Sequence, residues 1–195
     1  MLEKIIAEFS EVSELPIEIT EVRQAILRNG VQDRIVFCPD EAMDQTKLIG
    51  AYYQYTRRDG LYGDTELVSI IVFCSKLEVS WQRMICCKEM VHILDDDAEK
   101  TDTLEELDGL LTRLLGPLST GDFNIFDIMA TKDRLALYQA IPLLFPMTAR
   151  NNAVEKLKRG ECSVADIAEA AVMPKQLIEI ALRDEWPRLL RDLTC

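Results

Sequence analysis

The stretch SWQRMICCKEMVHILDDD, from Ser80 to Asp97, decides how the rest of the chain is interpreted. It predicts a helix, and each helical residue turns the chain by about 100°, so side chains four apart share a face. The apolar side chains predict contact with a core. The polar row is either exposed to solvent or buried with its charges satisfied. The apolar stripe is Met84, Cys87, Val91 and Leu94, and the polar row is Lys88, Glu89, His92 and Asp96.

The segment Lys88-Glu89-Met90-Val91-His92 has the spacing of the motif H-E-x-x-H. In that motif two histidines hold one zinc ion, and the glutamate is the general base for metal-bound water. Here lysine stands at the first histidine position. Its ammonium has no lone pair to offer a metal, and its reference pKa is about 10.4. One substitution therefore separates a hydrolase from a protein without that activity.

Two stretches resemble the ImmA/IrrE family of metallopeptidase-like proteins. Residues 83–92, RMICCKEMVH, resemble the family segment R-F-T-L-A-H-E-L-G-H, with Arg83, Glu89 and His92 in register. Residues 133–146, DRLALYQAIPLLFP, are similar to a second family signature, E-x-x-A-N-x-F-A-x-x-L-L-M-P. The resemblance covers roughly residues 52–182. It implies that Asp133 stands at the third, carboxylate, metal ligand.

The chain departs from the family pattern in ways that bear on activity. Lys88 replaces a ligand, Asp133 is shorter than the expected glutamate, and Pro142 lies inside a predicted helix, which it is expected to kink. Leu137 and Gln139 stand at the family's Asn and Phe positions. The connection between the two signatures is also longer than in the family, and it contains an extra predicted helix.

The metal-binding residues that remain are His92 and Asp133, as vestigial or alternative ligands, with Asp96 as a weaker candidate and Cys86 in reserve. We expect the Lys88 ammonium to take the space of the lost zinc and to pair with Glu89 or Asp133. On that hypothesis the protein holds no cofactor. The alternative is a zinc site in which Glu89 is the general base.

The order of predicted elements indicates an α+β fold. Two helical patterns, 2–14 and 16–27, are followed by strands at 34–38, 47–56 and 66–74, with a turn at 57–63, and then by the helix from Ser80. A small mixed sheet packed on an active-site helix is the zincin-like arrangement that the resemblance implies. Residues 1–149 form this predicted domain, with a leucine-rich helix, 103–115, in an insertion at about 101–117.

Residues 150–195 are predicted to form a helical extension packed on that domain. Helices are expected over 125–145 and 147–159, and the pattern from Ser163 to Leu182 resembles a helix-turn-helix with Ser163 as N-cap. Its second helix mixes Lys175 and Arg183 with acidic residues, whereas a DNA-reading helix is normally basic. Packing is therefore favoured over DNA contact.

Composition and charge limit the classes of partner. The net charge is −12, and residues 1–149 carry 14 basic against 26 acidic side chains, which argues against nucleic acid. No apolar run is long enough to span a bilayer, and the acidic amino terminus does not resemble a signal peptide. Six scattered cysteines without C-x-x-C spacing are typical of reduced thiols in a cytoplasmic protein.

Three function hypotheses follow. The first is a catalytically inactive, cytoplasmic interaction or regulatory protein, because proteins of the resembled family act on or beside transcriptional repressors in mobile elements and stress responses. The second is an active metal-dependent peptidase with non-standard ligands. The third is a toxin–antitoxin or phage-related module that contacts its partner through the leucine-rich helix. No G-x-S-x-G, Walker or G-x-G-x-x-G motif is present, and a single histidine argues against a di-iron site.

Overall fold

The computed structural model describes residues 1–44, 49–58, 64–94 and 125–194, and it has an α+β fold. In chain order, one three-stranded sheet follows two amino-terminal helices and precedes six further helices of the described chain. The strands are β1 (Arg34–Asp40), β2 (Gly50–Arg58) and β3 (Thr65–Cys74). The helices are α1 (Leu2–Phe9), α2 (Ile19–Arg28), α3 (Val79–His92), α4 (Ile125–Leu144), α5 (Met147–Lys158), α6 (Val164–Ala171), α7 (Lys175–Ala181) and α8 (Trp186–Thr194).

The sheet is small and mixed, as the sequence predicted. Strand β3 is central, pairs in parallel with β1 and pairs antiparallel with β2. Its sequence, TELVSIIVFC, is rich in the β-branched residues that favour extended backbone. Asp33 immediately precedes β1, is buried, and accepts hydrogen bonds from Ser69 of β3 and Gln54 of β2. These hydrogen bonds connect the start of β1 to the other two strands.

One face of the sheet packs on α3. Odd-numbered and even-numbered residues of a strand point to opposite faces of the sheet. A Cβ added to Gly50 would meet Ile85 of α3, so the even-numbered residues of β2 face this helix. Tyr52 pairs with Ile71 and shares that side. We call it the α3 face, and the hydrophobic core extends from it through α3 and α4 to the amino- and carboxyl-terminal helices.

Several predicted boundaries were wrong by a few residues. The first helix ends at Phe9 rather than at residue 14, where the Ser10 hydroxyl donates to the Ala7 carbonyl. Strand β1 continues through Pro39 instead of ending there, because it is an outer strand of the sheet, where proline is tolerated. Strand β2 runs on to Arg58, into the predicted turn.

The central helix also ends earlier than predicted, at His92 rather than at residue 97. Residues 95–97 lie outside the described part of the chain, and so do most of the predicted turn at 57–63 and the predicted insertion at 101–117. The second helical pattern begins at Ile19 instead of residue 16, after Glu18 in extended conformation.

The carboxyl-terminal helices pack on α4 and α5. Ser163 caps α6 with the predicted side-chain hydrogen bond, and its partner in a reciprocal capping box is Asp166. The turn between α6 and α7 passes through Val172 at a positive φ of 48°. Helix α8 was not predicted, and its Leu193 carbonyl accepts a hydrogen bond from Gln139 of α4.

A buried arginine ties α5 to the end of α7. The Arg150 guanidinium donates to the carbonyl oxygens of Ala181, Leu182 and Arg183. The predicted domain boundary at 149/150 falls in the first turn of α5, so a cut there would divide that helix. In the part of the chain that the structure describes, no helix combines the length and apolarity needed to cross a bilayer.

Candidate functional site

Helix α3 is buried on more than its apolar side. Every residue from Met84 to Val91 is buried, including Lys88 and Glu89 at 5% and 3% exposure. Of the two interpretations of the polar row, exposure to solvent is therefore wrong for these two residues. Burial is correct, because α4 and β2 both contact α3, and the two residues form an ion pair with each other. Among the described residues, Glu89 Oε1 has no hydrogen-bond partner of good geometry.

The charged groups of α3 meet one carboxylate of α4. The Lys88 ammonium lies 2.8 Å from Glu89 Oε1 and donates a hydrogen bond to Asp133 Oδ1. His92 Nε2 is 3.5 Å from the same Asp133 oxygen. Lys88 and His92 are four residues apart, so both reach the same position on the neighbouring helix. We call Lys88, Glu89, His92 and Asp133 the buried charge cluster.

The attraction between the charged groups of the cluster outweighs the cost of burial, so that Lys88 and Asp133 both stay charged. Burial alone would lower the pKa of Lys88, but the attraction of Glu89 and Asp133 outweighs it and raises that pKa above its ordinary value. Burial alone would raise the pKa of Asp133, but a hydrogen bond from His92 and the charge of Lys88 lower it to about 2. At neutral pH Lys88 is therefore an ammonium and Asp133 a carboxylate.

Gly50 was missed as a residue of this site. A Cβ at this position would lie 2.2 Å from Ile85 Cγ2 and 3.2 Å from Glu89 Oε1. Only glycine lets the start of β2 approach α3 this closely without a shift. The signal in the sequence was weak, because a glycine that opens a strand is also an ordinary turn residue.

Two further residues near the motif have structural roles. The Arg83 guanidinium donates to the carbonyl oxygen of Ile17, which ties α3 to the segment before α2. Burial raises the pKa of the Cys86 thiol to about 12, and the nearby Glu89 charge acts in the same direction. Cys86 is therefore a neutral thiol at physiological pH in these surroundings.

The residues of the cluster do not fit a zinc ion. Zinc needs three or four donors with free lone pairs, and the Asp133 oxygen that faces His92 is already bonded to the Lys88 ammonium. Across residues 1–44, 49–58, 64–94 and 125–194, no group of three His, Cys, Asp or Glu side chains is placed to hold a metal ion. Asp96, the weaker ligand candidate, lies outside these ranges.

Comparison with known proteins gave no relative on which to base a function. No protein-family model, no curated protein and no solved structure matches the chain.

Proposed function

We propose that this is a catalytically inactive, metallopeptidase-like protein of the ImmA/IrrE type, which acts in the cytoplasm through a protein partner. The observation that carries the proposal is the Lys88 ammonium, held between Glu89 and Asp133. A monocation at this position offsets one of the two carboxylate charges but does not lower the pKa of a water molecule as zinc does.

The arrangement supports a zincin-like ancestry together with loss of hydrolysis. The H-E-x-x-H spacing is present on a helix packed under a small mixed sheet, and Asp133 comes from the following described helix. The glutamate that would serve as general base is in an ion pair with the lysine. The ammonium links α3 to α4 and so takes over the linking role that a metal has in a structural site.

The partner in this proposal is a protein, with a transcriptional regulator as the specific candidate. It rests on the resemblance, since proteins of that family act on or beside repressors. The net charge of −12 favours a protein over nucleic acid. The five cysteines that the structure describes are free thiols, which is typical of a reducing compartment.

The metal content of the purified protein tests whether Lys88 has abolished zinc binding at this site. We expect no stoichiometric metal in wild type by plasma mass spectrometry, and about one zinc per chain in Lys88→His, since the substitution restores a lone-pair donor. His92→Ala in the Lys88→His background is the control and is expected to lose that zinc.

The opposite outcome would support an active metal-dependent peptidase. An active peptidase requires that the wild-type protein already carries about one metal per chain and that Asp133→Ala loses this metal. It also requires metal-dependent cleavage of a mixed peptide substrate. Metal that stays bound in Asp133→Ala and His92→Ala is held elsewhere and does not support either reading of this cluster.

A further inference from the structure

We draw no further inference here: the strongest candidate, the open cleft of about 800 Å³ that Trp81 and Val172 line between the β3–α3 connection and the turn from α6 to α7, carries one lysine and one glutamate on each wall, so its charge selects no ligand and nothing in the structure shows what covers it.

Discussion

Two lysine–carboxylate pairs in this protein share their chemistry and differ in their surroundings. In the buried charge cluster, Lys88 lies 2.8 Å from Glu89, and the side chains are 7% and 4% exposed. On α7, Lys175 lies 3.8 Å from Glu179, and the side chains are 58% and 50% exposed. Water screens the second pair and leaves both partners solvated if it breaks. The comparison teaches that burial, and not the pairing of charges, decides how much stability is lost when one partner of an ion pair is removed.

The largest expected effect is on the buried pair. Lys88→Met keeps much of the side-chain volume but leaves Glu89 and Asp133 without their cation. We expect the free energy of unfolding to fall by about 3–5 kcal/mol, since the buried Glu89 carboxylate loses its cation and keeps its desolvation cost. Urea unfolding of wild type and Lys88→Met at neutral pH measures this difference in the free energy of unfolding.

Lys175→Met is the matched control, and we expect it to change the free energy of unfolding by less than about 0.5 kcal/mol. Similar losses in the two variants would break the comparison. A triple variant, Lys88→Met/Glu89→Gln/Asp133→Asn, sharpens it. This variant removes the uncompensated charges, so we expect it to be more stable than Lys88→Met alone.

A smaller effect is expected from Gly50→Ala, which crowds the packing beside the cluster. The added Cβ would lie 2.2 Å from Ile85 Cγ2, so β2 or α3 must shift. We expect a loss of about 1–3 kcal/mol in urea unfolding, the usual range for overpacking. In an Ile85→Ala background Gly50→Ala should cost less, because the clashing methyl group is absent there.

Gly160→Ala is the control at an open site. Nothing lies within 4 Å of its added Cβ, and only the positive φ of 69° opposes alanine there. We expect a loss of about 1 kcal/mol that Ile85→Ala does not relieve. Equal relief of both glycine variants by Ile85→Ala would show that the crowding beside the cluster is not the cause.

The smallest effect is on the pH dependence of stability. Asp133 has its pKa lowered from 3.8 to about 2, so the stability it contributes is present above pH 4 and is lost as pH falls toward 2. Because Asp133 is 31% exposed on its side chain, we expect this contribution to be only about 1 kcal/mol. Urea unfolding of wild type and Asp133→Asn across this range measures it.

The acid-induced loss should be shallower in Asp133→Asn than in wild type, whereas parallel profiles would contradict the role of Asp133. Lys88 acts at the other end of the pH scale. Its raised pKa means that its contribution is complete below the pKa of an unfolded lysine, about 10.4, and is lost only as pH rises beyond that value.

The sequence predicted the fold class and the three strands because those signals are local. Alternation, β-branched residues and turn residues specify β1 and β3 within a few positions. The pairing of Lys88 with both Glu89 and Asp133 was predicted in part, since helical spacing places Lys88 and His92 on one side. The close approach of Gly50 to α3 was not predicted, because it depends on how β2 packs on a helix that is distant in sequence.

Boundaries failed where tertiary contacts override local preference. Pro39 stops a helix or a central strand, but it does not stop an outer strand, and the sequence alone did not show which strand was outermost. Helix α8 was not predicted, although Pro187 stands in its first turn, where proline is tolerated, and its apolar residues recur at helical spacing. The burial of Trp186 and Leu190 stabilises that helix, and burial follows from the fold.

The Arg150 contact joins two segments that a ribosome synthesises at different times. Its donor lies in α5, and its three acceptors lie about thirty residues later, at Ala181, Leu182 and Arg183. Helix α7 has only seven residues, too few to be stable alone in water. While a ribosome is still making that segment, the guanidinium stays hydrated and α5 lacks this support. The end of α7 and its anchor on α5 therefore form together as one step, after Arg183 has been synthesised.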